Sequence, residues 1–336
     1  MNTGNPLSPS GYKRENPTSL LGAGMGFNLL QLHDPKEDTN VRKFLRLYSV
    51  VPRFSRYKTG PRAEQAVRVN KFLRGVNERL NKKIGFAWKD QWLESLGCEY
   101  AKQIYKDWFI GRASLPLVAL KKLETFGFKS EVDKLIESCD FFSSTSARPF
   151  RIPHNIEENL AYLLGAILGD GHITKIADRI AFEVSEKWLA KKFKSKVMVV
   201  FAQNLNLRTR FRPDRDTTSY GLLWNNKSAV RLFTKFLSVP RGKKSHIITV
   251  SRLIRESNQN IRLAYLEGVF DTEGCIRRKG LRITSASKDF RDGLCDLLIS
   301  FGEKGYKDEW INKKYNKKYY GLQYSIRNLP FLAGVP

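Results

Sequence analysis

Two stretches of the 336-residue chain repeat one another, and this repeat limits the folds that the chain can adopt. Residues 160–173 and 263–276 both begin Leu-Ala-Tyr-Leu, and both place an acid directly before a glycine, at Asp170 and Glu273. A second pair, residues 220–224 and 320–324, shares Tyr-Gly-Leu at a spacing of 100 residues. Two matches at nearly the same spacing indicate a duplicated unit. Each copy has the pattern of a helix, the acid and glycine, two strands, a helix and two strands.

The first helix of each copy is apolar on nearly all sides, so we expect it to be buried against its twin. Small residues four positions apart allow two helix backbones to come close. They are Gly165 and Gly169 in the first copy, and Gly268 and Thr272 in the second. In a parallel pair, Asp170 and Glu273 emerge side by side at the helix ends, where the helix dipoles and mutual repulsion disfavour two anions. A divalent cation would remove that penalty, and Mg²⁺ suits oxygen ligands.

Residues 163–171 and 266–274 resemble the nine-residue motif of the LAGLIDADG homing endonucleases, in the form with two motifs in one chain. The motif glycine, the acid and the final glycine are present in both copies, with glutamate replacing aspartate at Glu273. The resemblance covers residues 152–336 and implies an α+β fold, with two αββαββα repeats around the paired motif helices. It also implies two saddle-shaped sheets along the DNA major groove, metal bound by Asp170 and Glu273, and hydrolysis of both strands with short 3′ overhangs.

The predicted strands are rich in side chains that contact phosphates or base edges. They are Arg179, Glu183, Arg208, Arg210, Arg212, Asn225, Asn226, Arg282, Gln323 and Arg327. Arginine commonly pairs with guanine, and asparagine or glutamine with adenine. For any one of these residues, a solvated edge position or a phosphate contact is the competing interpretation.

A cation near the two acids would polarise water or offset charge on the phosphate. Lys244 is the first choice, because residues 239–245 (Val-Pro-Arg-Gly-Lys-Lys-Ser) resemble a segment of the family. The weaker candidates are Lys243, Arg277 and Lys288. The resemblance also implies that polar residues at the ends of the second strands line the site. Ser285 fits that position, whereas its counterpart Val184 cannot act chemically.

The composition favours a nucleic-acid partner. With 59 Lys and Arg against 33 Asp and Glu, the formal net charge is +26, which calls for a polyanion. Four scattered cysteines and four histidines argue against a disulfide framework and a zinc site. The sequence has no membrane span and no secretory signal. We therefore expect an intracellular monomer in archaeal or bacterial cytoplasm or in an organelle matrix.

Changes in composition divide the chain into four parts. They are a flexible leader (1–40), a mainly helical domain (41–142), the first copy (152–258) and the second copy (259–336). In the helical domain, a helix over 98–110 and another between Ser114 and Gly127 flank a glycine turn. This arrangement fits either a helix-turn-helix DNA-binding unit or a plain helical bundle with a basic face.

The sequence thus predicts a site-specific homing endonuclease that hydrolyses double-stranded DNA with Mg²⁺, for which Mn²⁺ is expected to substitute. The chain begins with Met1 and has no His-Asn pair at its end, which favours a free-standing or intron-encoded nuclease. Two alternatives stay open: a LAGLIDADG-type DNA-binding regulator that does not cleave, and a maturase that binds intron RNA. The presence of both acids favours the nuclease.

Overall fold

The described chain is a mixed α+β structure with two antiparallel four-stranded sheets and a helical amino-terminal region, which confirms the predicted fold class. The computed structural model describes residues 50–51, 61–96, 108–109, 115–142, 150–153, 155–213, 216–277, 280–313 and 316–324. The predicted leader, most of the helix over 98–110, Ser114 and Arg327 lie outside these residues, as do residues 143–149. No helix in the described ranges is long and apolar enough to cross a membrane.

The amino-terminal region is built around one long amphipathic helix. Its elements are β1 (Val50–Val51), α1 (Pro61–Ile84), α2 (Ala87–Ser95), β2 (Leu115–Pro116), α3 (Leu117–Lys122), a 3₁₀ turn (Leu123–Phe126) and α4 (Lys129–Glu137). Trp88 and Trp92 are fully buried, and the Trp92 indole donates to the Ala119 carbonyl at 2.9 Å. These aromatic side chains join α2 to α3 in the core of the region.

The helix predicted after Ser114 starts later than expected and is not one continuous α-helix. Leu115 and Pro116 pair with β1 as a short strand, and the helix begins only at α3. Its last turn tightens to a 3₁₀ turn and ends at Gly127, which has a left-handed φ of 91°. Glycine adopts that conformation without steric cost, so the predicted stop is correct.

The first copy follows a short hairpin and forms one four-stranded sheet covered by helices. The hairpin is β3 (Phe141–Phe142) with β4 (Phe150–Arg151), and the copy is α5 (Glu158–Leu168), β5 (Gly171–Ile173), β6 (Arg179–Val184), α6 (Lys187–Phe201), β7 (Leu207–Arg212), β8 (Thr217–Asn225) and α7 (Lys227–Arg231), with a π turn over Leu232–Phe236. The strand order is β5-β6-β8-β7, with antiparallel neighbours.

The second copy repeats this order of elements. The short helix α8 (Arg252–Arg255) precedes it, and its own elements are α9 (Gln259–Glu273), β9 (Gly274–Arg277), β10 (Gly280–Ser285), α10 (Lys288–Ile299), β11 (Tyr306–Asn312) and β12 (Lys317–Tyr324). The strand order β9-β10-β12-β11 matches that of the first copy. The repeat pattern predicts a strand before β12, but the sequence does not give the bounds of β11, because charged residues occupy much of it.

Strand alternation separates a buried face from an open face in each sheet. In β6, Ile180, Phe182 and Val184 are buried beneath the helices, and the Phe182 ring stacks on Phe193 at 4.1 Å between centroids. The intervening residues of β6 are on the open face, since successive side chains of a strand point to opposite sides. The open faces carry most of the polar residues that the sequence predicted to contact DNA.

Helices α5 and α9 contact each other through their backbones. A Cβ atom built on Gly165 would lie 2.3 Å from the Tyr265 carbonyl oxygen, and one on Gly268 would lie 2.1 Å from the Tyr162 carbonyl oxygen. Neither position leaves room for a methyl group, and the clashing atoms are main-chain atoms that cannot rotate away. The glycines therefore set how closely the two helices approach.

We predict that Gly268→Ala lowers the free energy of unfolding by about 1–3 kcal/mol, the usual cost of overpacking. Gly75→Ala in α1 is the control, because a Cβ there meets nothing within 4 Å. Alanine should raise stability at that helical position by up to about 1 kcal/mol. Urea unfolding monitored by circular dichroism measures both variants, and equal effects of the two substitutions would contradict the backbone contact.

Candidate active site and nucleic-acid surface

The two motif acids converge where the paired helices end. Helix α5 ends at Leu168, Asp170 follows in the next turn, and Glu273 is the last residue of α9. A Cβ atom built on Gly169 would lie 2.1 Å from the Thr272 hydroxyl oxygen and 3.2 Å from the Glu273 Cγ. The main chain of the first copy therefore passes directly over the end of α9, which brings the carboxylates of the two copies to one place.

Lys244 reaches the same place from the segment between the copies. Its ammonium group donates hydrogen bonds to the main-chain carbonyls of Leu168 and Gly169, at the carboxyl end of α5. Carbonyls in the last turn of a helix lack intrahelical partners and carry the negative end of the helix dipole. The lysine thus caps the helix and places its charge beside both acids.

Burial governs the protonation of these three groups. It raises the pKa of Glu273 to about 7; the nearby Asp170 raises it further, whereas Lys244 opposes the shift. Burial also raises the pKa of the Asp170 carboxyl, again opposed by Lys244. The pKa of Lys244 falls to about 8 because desolvation outweighs the attraction of the two carboxylates. Ionising both acids together is therefore costly without a further cation.

The donor set fits a hard divalent cation such as Mg²⁺. Two carboxylates supply oxygen ligands only, and Mg²⁺ commonly binds one or two carboxylates together with substrate phosphate and water. Within the described ranges, no group of three or more His, Cys, Asp or Glu side chains is arranged to hold a metal ion. Asp170 and Glu273 would therefore be the protein's share of the ligands.

The segment that carries Lys244 is held to the first copy at the end of β5 and in the turn that follows it. The Arg241 guanidinium lies 2.7 Å from the Asp178 carboxylate, and the Gly242 amide donates to the Ile173 carbonyl at 2.7 Å. Gly242 has a φ of +75°, so a side chain at this position would strain the backbone. These contacts define the path of the chain two residues before the lysine.

The same segment is also fastened to the second copy. The Ser287 hydroxyl donates to the Ile248 carbonyl at 2.7 Å, and a His246 ring nitrogen lies 3.3 Å from the Ala286 carbonyl. Contacts to both copies hold the lysine over the junction between them.

The weaker basic candidates and the strand-end residues do not join this cluster. Lys243 and Lys288 are exposed, and the side chain of Arg277 lies outside the described residues. The expectation that Ser285 lines the site is wrong: it is buried, and its hydroxyl accepts a hydrogen bond from the Ser287 amide at 3.1 Å. Ser285 belongs to the buried face of its sheet, as Val184 does in the first copy.

Most of the predicted DNA-contacting residues of the first copy lie on one open face. They are Arg179, Glu183, Arg208, Arg210 and Asn225. Arg212 follows in the same alternation along β7, where it pairs with Thr217. Arg179 donates to the Asn225 side chain at 2.7 Å, and the Ser219 hydroxyl donates to Glu183 at 2.8 Å. These bonds hold both pairs of side chains in fixed orientations on the face.

Asn226 does not belong to this face, and its assignment as a base contact is wrong. Its side chain is 2% exposed, and the amide oxygen accepts a hydrogen bond from the Ala229 main-chain N–H at 3.0 Å. Asparagine is a preferred N-cap residue, and here it starts α7. The sequence offered this signal, because Asn226 precedes a short helical pattern.

In the second copy, Gln323 lies on the open face opposite Arg282. Arg282 was predicted to contact DNA, but it is paired within the protein. Its guanidinium lies 2.7 Å from Asp308 and 4.7 Å from the centroid of the Trp310 ring. The contact with Asp308 neutralises much of its charge. Sequence reasoning missed this partner because it gave neither the bounds nor the register of β11.

Sequence reasoning also missed an ionic network between the copies. The Lys192 ammonium in α6 lies 2.7 Å from Glu267 and 2.7 Å from Asp271, both in α9. It also lies 4.9 Å from the centroid of the Tyr162 ring, whose hydroxyl donates to Asp271 at 2.7 Å. The network ties α6 and α5 of the first copy to α9 of the second.

A difference between the two motifs could have revealed this network. Glu267 and Asp271 occupy the positions at which the first copy has Leu164 and Leu168. Acids four apart in an otherwise apolar helix lie on one face and require a cationic partner when they are half-buried.

Residues 260–329 match the model of the LAGLIDADG-like domain family. The matched range begins in α9 and includes the whole described second copy after it. The family resemblance that the two motifs predicted is therefore confirmed.

Parts of two archaeal proteins match about half of the chain. The replication factor C small subunit of Methanocaldococcus jannaschii is 32% identical over 165 residues, which are 49% of this chain and 8% of that protein. The probable translation initiation factor IF-2 of the same organism is 28% identical over 179 residues, 51% of this chain and 14% of that protein. The chain therefore corresponds to a small part of either relative.

Among solved structures, the homing endonuclease I-DmoI in complex with DNA and Mn is similar at a TM-score of 0.38. Its sequence is 19% identical, and the similarity covers 53% of this chain and 95% of that one.

We predict that Glu273→Gln stabilises the metal-free protein at pH 8, where the wild-type carboxylate is ionised although it is buried. Because the folded-state pKa is raised to about 7, this carboxyl stabilises the fold below its ordinary pKa of 4.5, and the contribution is lost as the pH rises through 7. The gain in free energy of unfolding should be at most about 3 kcal/mol at pH 8 and should shrink toward pH 4.5.

Urea unfolding in EDTA at several pH values measures this difference. Glu157→Gln is the control, since Glu157 is exposed at the other end of α5. If Glu273→Gln and wild type were equally stable at pH 8, the carboxylate would not be desolvated as described.

Proposed function

We propose that the chain is a site-specific homing endonuclease that makes a metal-dependent double-strand break in DNA. The observation that carries the proposal is the cluster of Asp170, Glu273 and Lys244 at the carboxyl ends of the paired helices. A structural role alone does not explain two neighbouring acids, one from each copy, at helix ends that disfavour anions. The arrangement is suited to a reaction on two strands around one junction.

The matches to named proteins support a nuclease of a mobile element. Two proteins with unrelated names match about half of this chain, yet the match is 8% of one and 14% of the other. A segment shared in this way is separable from the activities after which those proteins are named. An enzyme that cuts a recipient site and is copied into it would have such a distribution.

The mechanism assigns a role to each side chain of the cluster. Asp170 and Glu273 would hold Mg²⁺, which supplies an activated water and charge neutralisation at the phosphate when it is bound. Lys244 uses two of its three N–H donors on the Leu168 and Gly169 carbonyls. The third can donate to a phosphate oxygen, and the positive charge would stabilise the transition state.

The open faces of the two sheets would hold the duplex on either side of the cluster. Arg208 and Arg210 are exposed on the first face and make no ion pair with the described residues. The net charge of +26 favours association with a polyanion over long range. Base-edge contacts from these faces would supply the sequence preference.

We predict that Asp170→Asn, Glu273→Gln and Lys244→Met each lower the rate of cleavage of at least one strand by about a hundredfold or more. Affinity for the uncut duplex should change little in the two acid variants, since the acids are not the phosphate-binding groups. The substrate is duplex DNA that spans the empty insertion site of the gene, with Mg²⁺ for cleavage and Ca²⁺ for binding. Glu157→Gln, an exposed carboxylate of the same copy, is the matched control.

A double-strand cut with 3′ overhangs that is lost in the three variants supports the nuclease. Tight duplex binding without a cut in either Mg²⁺ or Mn²⁺ would instead favour the DNA-binding regulator. Binding to the intron RNA in preference to the duplex would favour the maturase.

A further inference from the structure

The outer strands of the two sheets are equivalent position by position but differ in chemistry. Leu207 pairs with Leu222 in the first sheet, and Lys307 pairs with Leu322 in the second. Residues 100 apart are therefore structural equivalents along β7 and β11 and along β8 and β12. This equivalence allows the two open faces to be compared residue by residue.

The outer part of the first open face is cationic. Arg208 is opposite Gly221, and Arg210 is opposite Ser219, so both arginines point to the open side. Both side chains are exposed, and neither has an ion-pair partner in the described chain. Exposed guanidinium groups two residues apart on a strand are suited to phosphates and to guanine edges.

The outer part of the second open face has one acidic and two aromatic residues at the equivalent positions. Asp308, Trp310 and Tyr319 replace Arg208, Arg210 and Ser219. Trp310 and Tyr319 are directly opposite each other, and their rings stack at 6.0 Å between centroids with 21° between their planes.

One cation of this second face, Arg282, is neutralised, whereas Lys317 on the same side of β12 is exposed. Arg282 pairs with Asp308 at 2.7 Å and covers the Trp310 ring at 4.7 Å. Gly321 makes room for this pair, because a Cβ there would lie 1.9 Å from an Asp308 carboxylate oxygen. Tyr306 extends the aromatic surface on the same side of β11 and is 69% exposed.

We propose that the two outer halves of the surface recognise DNA by different contacts. In the first half, Arg208 and Arg210 contact phosphates and guanine edges. In the second half, Tyr306, Trp310 and Tyr319 make apolar contacts with base edges, above all with thymine methyl groups. This inference rests on the proposed function, because it requires a duplex across both sheets.

The proposal separates the salt-dependent part of binding from the apolar part. Each phosphate contact contributes about −0.9 to the slope of log affinity against log salt concentration, whereas an apolar contact contributes none. The first half should therefore account for much of the slope of log affinity against log salt concentration. Substitutions in the second half should weaken binding by the same factor at all salt concentrations.

The test measures duplex binding in Ca²⁺ at several salt concentrations with a 40-base-pair duplex of mixed sequence. Arg208→Gln with Arg210→Gln should reduce the magnitude of the slope by about 2. Trp310→Ala with Tyr319→Ala should leave the slope unchanged. Lys318→Gln is the matched control, since Lys318 is in the same strand as Tyr319 but pairs with Glu309 on the other face.

Exchanging equivalent residues gives the reciprocal result. Arg210→Trp should reduce the magnitude of the slope by about 0.9, and Trp310→Arg should increase it by a similar amount. Thermal melting identifies any variant that fails to fold, and Tyr306→Ala remains informative in that case because its ring is mostly exposed.

Selection of bound duplexes from a random library in Ca²⁺ tests the base contacts. The wild type should enrich guanine toward one end of the site and thymine toward the other. Tyr306→Ala and the Trp310–Tyr319 variant should lose only the thymine preference, and the arginine variant only the guanine preference. Equal changes of slope in the arginine and aromatic variants, or an unchanged thymine preference in the aromatic ones, would overturn the inference. If the wild type bound no duplex at all, the proposed function would fail as well.

Discussion

The main-chain contact between α5 and α9 is the constraint on which the two-copy part of the molecule depends. Gly165 and Gly268 leave no side chain between the helices, so the carbonyls of Tyr265 and Tyr162 limit their approach. Each helix leads directly into the first strand of its own sheet, and the two sheets share one strand order. Fixing the helix contact therefore fixes how both open faces are placed. The contact also explains the position of the two acids, because the two main chains separate only where α5 and α9 end.

Electrostatics at this junction favour a further cation. Two ionised carboxylates and one ammonium group carry a net negative charge, which would repel a phosphate of the substrate. The raised pKa values of Glu273 and Asp170 express the same imbalance within the protein. A divalent ion would reverse the sign of the net charge and make the junction attractive to a phosphate. Lys244 alone cannot achieve this, since it neutralises one acid and is itself desolvated enough to lower its pKa to about 8.

The order of helices and strands in each copy could be predicted from the sequence, because the two copies repeat the same pattern. Strands β6 and β7 belong to the pattern predicted for each copy, and apolar and polar residues alternate in both. The bounds of β11 were not predicted, because long-range pairing with β12, not its own composition, makes it a strand. Asn226 and Ser285 were misassigned for a related reason: residue type alone does not tell which face of a strand or which helix end a polar side chain serves. The Lys192 network required knowledge of which helices pack together.

The duplicated chain has diverged where a symmetric dimer could not. Tyr162 and Tyr265 are equivalent residues, yet the Tyr162 hydroxyl donates to Asp271, while that of Tyr265 is buried without a hydrogen-bond partner in the described chain. The difference follows from the motif itself, because the position of Asp271 is Leu168 in the first copy. In a homodimer each substitution appears twice, so an acid that gains a lysine on one side would gain it on both. A single chain escapes that restriction, and its two halves can specialise around a common backbone. The ionic network on one side and the contrast between Arg210 and Trp310 are two instances of this freedom.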